Sequence, residues 1–342
     1  MAEPRPSGPS LTRFIERHWL RDSCLSRALL PLAWLHGGVL ALRRMSYRRG
    51  WFASEPIQVP VLVVGNFFVG GTGKTPLVVA LAALLCRSGR VPGIISRGFG
   101  GANVEPRPVR PGDHPDQVGD EPLLIAERSN VPVWIGRDRV AAARALLVGH
   151  ASVDVIICDD GLQHLALRRD IEIAVFDARG AGNGRLLPAG PLRERPRPVD
   201  AVVCNGGGTA PGQFAMTIEP AGFYRLGDSA SRVDASSLQR LRTIAIAGIG
   251  DPQRFFRTLA ALHLQPLRAV AFPDHHRFSL ADLRFPDCDA IVMTEKDAVK
   301  CRALGSPIPL YALRVDARLD ASFEAHILTL LQSVSAHGRA ST

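Results

Sequence analysis

Lysine is nearly missing from this chain: of 41 basic residues only Lys74, Lys296 and Lys300 are lysine, the rest being arginine. A sequence this tilted toward arginine that still keeps Lys74 beside a glycine-rich turn is consistent with a need for a compact ammonium there. Paired cysteines are missing too. Cys24, Cys86, Cys158, Cys204, Cys288 and Cys301 are scattered, with no C-x-x-C and no metal-ligand spacing. That excludes a disulfide framework and a structural zinc site, and it suits a reducing compartment. Aromatic residues make up only 6% of the chain, and no stacking motif interleaves with its basic residues, which argues against a nucleic-acid-binding module. No apolar run reaches the roughly 20 residues of a membrane span. The strongest, 29–42, is interrupted by Pro31, His36 and Gly37-Gly38. No internal repeat is present.

What the chain does have is enough apolar residues, 46% of 342, to bury a sizeable core, and a length that suggests two domains. Its net charge of +9 is uneven: residues 1–51 carry nine arginines against Glu3, Glu16 and Asp22. Such an excess favours an acidic surface as partner, nucleic acid or anionic lipid. Leu11, Phe14, Ile15, Trp19, Leu25, Ala28, Leu29 and Leu32 approximate one helical face. With the apolar 29–42 stretch flanked by Arg27 and Arg43-Arg44, residues 1–50 read as a basic amphipathic element lying on a membrane surface. A helix simply packed on the protein core is the alternative.

From residue 51 to 212 apolar strands alternate with helices. Strands are expected at 59–64, 91–96, 131–135, 153–158, 171–176 and 201–204, and helices at 75–87, 120–128 and 138–147. Near-continuous Val/Ile runs suit strands buried on both faces of a mainly parallel sheet. A linker over 213–242 reads as a hairpin, 214–218 and 222–226 joined by Glu219-Pro220-Ala221. A smaller C-terminal α/β domain, 243–334, follows. It has strands at 243–246, 269–272, 290–294 and about 310–315, and helices at 252–262 and 280–285. A disordered tail is expected at 335–342.

The chemistry concentrates in a few turns. The strand Val61-Leu62-Val63-Val64-Gly65 runs into Gly70-Gly71-Thr72-Gly73-Lys74-Thr75 and then a helix. That order makes a P-loop: glycines let backbone N–H groups curl around phosphate, and the helix start adds positive potential. Lys74 would reach the β/γ-phosphates and Thr75 would bind Mg²⁺. The first glycine of G-x-x-x-x-G-K-[ST] is replaced by Phe68. A second strand ends in Asp159-Asp160, placed as a Walker-B pair that meets Mg²⁺ beside the loop. Gly161-Leu162-Gln163-His164 follows directly. Phosphoryl transfer to an alcohol also needs a proton acceptor. Asp120-Glu121 at a helix start and His275-His276 in a turn are candidates, each also compatible with capping or a surface role. Ala247-Gly248-Ile249-Gly250 lacks the third glycine of a dinucleotide fingerprint. Thr294-Glu295-Lys296-Asp297 has its lysine one position late for guanine recognition, so neither points to NAD or GTP.

Taken in order, V-G-N-F-F-V-G-G-T-G-K-T-P (64–76), S-R-G-F-G-G (96–101), G-D-E-P (119–122), D-D-G-L-Q-H (159–164), L-P-A-G-P-L-R-E (187–194), F-P-D-H-H-R-F (272–278) and M-T-E-K-D-A-V-K-C (293–301) resemble the tetraacyldisaccharide 4'-kinase family of Gram-negative bacteria. The resemblance covers about residues 11–330. It departs at Phe68, where the family more often has a small hydroxyl residue, and at Phe99, where tyrosine is usual. It implies an ATP- and Mg²⁺-dependent kinase that phosphorylates the 4'-hydroxyl of a tetraacyldisaccharide 1-phosphate, giving lipid IVA in lipid A biosynthesis. It also implies an acylated disaccharide phospholipid and the cytoplasmic face of the inner membrane as partners, peripheral or monotopic attachment, and no obligate protein partner. By similarity Asp120 is the general base and His275 its partner from the second domain. Gly70, Gly71, Thr72, Gly73, Lys74 and Thr75 hold phosphate, Asp159 and Asp160 the Mg²⁺ side, and Glu121, Gln163, Arg193 and Glu194 line the site. A membrane-docked P-loop ATPase without a lipid acceptor is the competing reading.

Overall fold

The computed structural model describes residues 18–98, 105–206 and 210–340. The first part of the expected N-terminal helix, with Leu11, Phe14 and Ile15, and Phe99 to Gly101 of the S-R-G-F-G-G motif lie outside the described residues. In chain order the elements are α1 (Cys24–Ala28), α2 (Leu30–Arg48), β1 (Val61–Gly65), α3 (Lys74–Arg87), β2 (Pro92–Ser96), β3 (Arg107–Val109), α4 (Pro115–Val118), α5 (Asp120–Ser129), β4 (Val133–Ile135) and α6 (Arg139–Gly149). They continue with β5 (Val155–Asp159), β6 (Ile171–Asp177), β7 (Ala201–Asn205), β8 (Gln213–Arg225), β9 (Asp228–Val233), α7 (Ala235–Leu238), β10 (Thr243–Ala247), α8 (Pro252–Ala261), β11 (Arg268–Ala271), β12 (Ala290–Thr294), α9 (Glu295–Cys301), β13 (Leu310–Leu319) and α10 (Ala321–Ala340).

One sheet runs through the molecule in the order β11-β10-β12-β13-β8-β7-β6-β1-β5-β2-β4-β3, with β9 paired to β8. It is parallel except where β13 meets β8, β9 meets β8 and β3 meets β4. The apolar strands explain the layering. In β1, Leu62 and Val64 face one core with α3, α5 and α10, while Val61 and Val63 face another with α2 and α6. Alternate residues of β5 divide the same way, so each strand is buried on both sides. The smaller unit is likewise cored on both faces of β10 and β12. The order reverses around β1, whose neighbours are β5 and β6, and ligand crevices open at the carboxyl ends of strands at such a switch point.

The linker differs from the expectation. Residues 214–226 form no hairpin; β8 runs straight through Glu219-Pro220-Ala221 as a single strand. Strand β13 pairs along it, with Val315 opposite Pro220 and an irregularity between Leu313 and Val315. Proline has no N–H to donate, and a bulged register beside a stretch unpaired on the other side tolerates it. The hairpin lies one step later, between β8 and β9, where Gly227 takes φ +92°. Strand β8 therefore belongs to both α/β units. Residues 280–285 form only a single 3-10 turn at Leu280–Leu283, closed by a Ser279/Asp282 capping box. The backbone of 335–340, expected as a disordered tail, continues α10 to Ala340. Pairing of β13 with β8 delivers Ala321 onto the α3 side of the sheet, where Phe323, Ile327 and Leu331 are buried.

Candidate active site

The phosphate loop is braced from below before any ligand enters. Asn66, Phe67 and Phe68 are all buried, and the Phe68 ring lies 5.5 Å from that of Phe176 on β6. Phe68 thus fills the position expected to hold glycine by pointing into the core, away from the phosphate side. Gly70 and Gly73 adopt φ +114° and +91°, backbone states that favour glycine. The carbonyl of Thr72 accepts from Asn205 Nδ2 at 2.9 Å, and that of Gly70 from Asn66 Nδ2 at 3.3 Å. Helix α3 starts at Lys74, so its unpaired N–H groups open onto the loop.

At the ends of β1 and β5 the charged groups meet. Lys74 Nζ lies 3.4 Å from Asp160 Oδ1, and Arg193 Nη1 lies 2.9 Å from Asp160 Oδ2. Asp160 sits at φ +48°, a strained state for a non-glycine residue of the kind concentrated at functional sites. Burial pushes its carboxyl up, but Lys74 and Arg193 outweigh that and hold it below the ordinary range. Asp159 is different. It is 2% exposed, accepts from Ser96 Oγ at 3.0 Å on Oδ2, and has no hydrogen-bond partner on Oδ1. Burial, then the charges of Glu121 and Asp160, push its carboxyl up to about 7. A buried carboxylate oxygen left orphaned beside a phosphate loop fits a Mg²⁺ site, because Mg²⁺ takes few protein ligands and keeps waters and phosphate oxygens. Thr75, on the first turn of α3, lines the same cavity.

Across the cleft Asp120 and His275 come together from the two units. Gly119, at φ +91°, turns the chain into α5, and Asp120 opens that helix. His275 Nδ1 lies 3.1 Å from Asp120 Oδ2; with a carboxylate as acceptor, Nδ1 carries the proton. His275 is held at φ +57°. Burial raises the Asp120 carboxyl, yet the His275 hydrogen bond and the Lys296 charge bring it below its ordinary value. The same hydrogen bond raises the His275 imidazole.

Lys296, to which the sequence assigned no role, organises this corner. Its Nζ lies 2.9 Å from Glu121 Oε1, 3.2 Å from Asp274 Oδ1 and 3.9 Å from Asp120 Oδ2. Burial lowers its basicity, but those three carboxylates more than reverse the effect and keep it protonated. Glu121 is thus an ion-pair partner of the second unit. Farther along α5, Arg128 Nη1 reaches Glu295 Oε2 at 2.5 Å and Arg302 pairs with Glu127.

Gln163 and Glu194 form the floor. Gln163 Nε2 donates to the Asn66 carbonyl and to Glu194 Oε1, both at 3.0 Å, and Arg44 of α2 pairs with Glu194 Oε2. The 187–194 segment is seated on the N-terminal helices: Trp19 Nε1 donates to Pro188 O and Ser26 Oγ to Ala189 O. Residues 70–75, Glu121, Asp159, Asp160, Gln163, Arg193 and His275 all line one cavity of about 1370 Å³. Asp120 and Glu194 stand behind its wall; Asp120 borders, with His275, an adjoining pocket of about 250 Å³. Lys296, Ser96, Arg44 and Arg179 also belong to the site. A basic residue among the chain's three lysines was a signal for Lys296; nothing local marked Arg44, which lies 150 residues from its partner.

Comparison with known proteins bears on this arrangement. A family model described as tetraacyldisaccharide-1-P 4'-kinase matches residues 25–332. A tetraacyldisaccharide 4'-kinase of Dechloromonas aromatica is 49% identical over 306 residues, covering 86% of this chain and 90% of that protein. Its counterpart in Chromobacterium violaceum is 45% identical over 342 residues, covering 96% of this chain and all of that one. Among solved structures, LpxK from Aquifex aeolicus in complex with ATP matches with a TM-score of 0.76 and 30% identity, over 90% of this chain and 99% of that chain. A phosphate loop, an acidic strand end facing it and a carboxylate–histidine pair across the cleft are the equipment of a phosphotransferase, and the chain belongs to the tetraacyldisaccharide-1-P 4'-kinase family.

Proposed function

We propose that this kinase transfers the γ-phosphate of ATP to the 4'-hydroxyl of a tetraacyldisaccharide 1-phosphate, with Asp120 as general base. The observation that carries the reading is the 3.1 Å contact between Asp120 and His275 across the cleft from the phosphate loop, which supplies a proton acceptor for an alcohol nucleophile. Asp120 takes the hydroxyl proton; His275, donating from Nδ1, orients the carboxylate and keeps it ionised. Lys296 steadies the arrangement by offsetting part of the negative charge of Asp120, Glu121 and Asp274. The phosphate loop holds the nucleotide through backbone N–H groups, and Lys74 and Arg193 share the negative charge of Asp160 and of phosphate. Thr75 and Asp159 would hold Mg²⁺, with Asp160 beside them, and the ion would neutralise phosphate oxygens. Gln163 and Glu194 support the loop from the sugar side.

The membrane surface enters through α2. Its inner face packs small residues on the protein, with Ala33 buried and Gly37 against Leu186. Its outer face carries Leu32, Leu35, Val39 and Leu42, all exposed, with Trp34, Trp51 and Phe52 nearby and Arg43, Arg48 and Arg49 at one end. Among the described residues no helix is long and apolar enough to cross a membrane. An apolar stripe ended by arginines suits a helix lying at an anionic bilayer surface, here the cytoplasmic face of the inner membrane, where ATP and lipid precursor meet.

The test is transfer of labelled γ-phosphate from Mg-ATP to the tetraacyldisaccharide 1-phosphate in detergent micelles, beside Asp120→Ala. Labelled lipid formed by the native protein and absent with the variant supports the reading. ATP hydrolysis without labelled lipid would replace it with the membrane-docked ATPase.

A further inference from the structure

Several cations on the cavity wall have no part in the scheme above, and Arg179 is one that touches the phosphate loop itself. Arg179 stands two residues beyond β6 and is locked to the strand's last residue. Asp177 accepts from its Nε at 2.9 Å and its Nη2 at 2.6 Å, and its backbone N–H donates to Asp177 Oδ1 at 3.0 Å. So held, the guanidinium lies along the start of the phosphate loop. Nη2 reaches the Gly71 carbonyl at 3.3 Å, and both Nη nitrogens are 3.0 Å from where a Gly70 Cβ would stand. A side chain at Gly70 would crowd it. Lys74 and Arg193 share the single carboxylate of Asp160, and Arg179 is likewise ion-paired, with Asp177. The transferring phosphoryl group spreads negative charge over three oxygens, and Arg179 adds a guanidinium at the start of the loop to the donors Lys74 and Arg193.

We propose that Arg179 is a catalytic arginine supplied in cis, contacting the terminal phosphates of the nucleotide over Gly70. The proposal rests on the kinase reading. As the bond from the γ-phosphorus to the ADP oxygen breaks and that to the acceptor oxygen forms, the hydroxyl proton passes to Asp120. Arg179 gives up no proton; with its Nε and Nη2 edge held by Asp177, the guanidinium donates hydrogen bonds that strengthen as charge develops. Asp177 fixes the side chain beforehand, so that little rotamer freedom remains to be lost.

The experiment compares native enzyme with Arg179→Ala and Arg179→Lys in the lipid-phosphorylation assay, alongside binding of ADP and of ADP with aluminium fluoride. The expected result for Arg179→Ala is a fall in kcat of about 100- to 1000-fold, in the range of arginine-finger losses. KM for ATP and affinity for ADP stay within about threefold, while the aluminium fluoride complex no longer forms. Added guanidinium ion restores part of kcat, and lysine, a point charge without the fork, remains at least about tenfold impaired. An unchanged kcat overturns the proposal. So does a raised KM with weakened ADP binding and retained kcat, which would make Arg179 a brace for the loop. A native protein that phosphorylates no lipid would sink the kinase reading instead.

Discussion

Phe68 allows the sharpest test of how the phosphate loop is built. The P-loop pattern asks for glycine at this position, so Phe68→Gly restores the pattern on paper. The structure gives the opposite expectation. Phe68 is 2% exposed and its ring meets Phe176 at 5.5 Å, inside the core under α2 and the 187–192 segment. Truncating a buried phenylalanine costs about 3–5 kcal/mol from lost transfer energy and the cavity left behind. Losing the ring pair accounts for about 1 kcal/mol of that. Unfolding entropy near 60 °C is about 2.1 cal/mol/K per residue, so 342 residues give roughly 0.7 kcal/mol/K. The midpoint should therefore fall by about 4–7 °C for Phe68→Ala, and by more for Phe68→Gly, which also frees the backbone. Calorimetry with and without Mg-ATP makes the measurement. ATP affinity should weaken as well, because Phe67 O receives the Arg193 N–H at 2.8 Å and Val69 N–H donates to Pro191 O at 2.9 Å. Phe68→Leu should recover most of both. A glycine variant that melts within about 1 °C of native and binds ATP more tightly would refute this account of the loop.

In His275→Ala the acid limb of the kcat/KM profile should move to higher pH. The native Asp120 carboxyl is raised by burial but brought below its ordinary value by the His275 hydrogen bond and Lys296, so removing the bond lets protonation begin earlier on acidification; a limb that stays put or moves down contradicts the pairing. Arg44→Ala should destabilise by about 3–5 kcal/mol, because it strands the buried Glu194 carboxylate. Arg44→Ala combined with Glu194→Gln should melt closer to native, and a double variant no better than the single would count against the ion pair. Leu35→Asp with Val39→Asp should abolish sedimentation with anionic vesicles while shifting the melting midpoint by less than about 1 °C, since both side chains are exposed. Vesicle binding that survives would remove α2 from the membrane. Asp159→Asn should raise the Mg²⁺ concentration needed for half-maximal activity, and an unaltered Mg²⁺ dependence would exclude Asp159 as a ligand.

Much of the molecule was set by local pattern. Unbroken apolar runs such as Val61–Val64 and Val155–Cys158 suit strands covered by helices on both faces, so the mainly parallel sheet was legible from these runs and the helices between them. Gly73-Lys74-Thr75 after a strand, and carboxylates ending another, announced nucleotide chemistry because backbone geometry and charge are both short-range. Contacts between distant segments were not readable in the same way. Pro220 signalled a turn, but ten residues of β13 supplied a partner that kept β8 extended. The pairing of Asp120 with His275 was indicated by the family resemblance and not by any local pattern, and the clustering of three carboxylates on Lys296 and the docking of Arg44 on Glu194 depend on which residues the shared sheet and the N-terminal helices bring within about 4 Å. At such distances Coulomb and hydrogen-bond energies become decisive, and separation along the chain carries no record of them. The sequence by itself determined the class of chemistry. Only the tertiary structure decided which charged groups neutralise one another there.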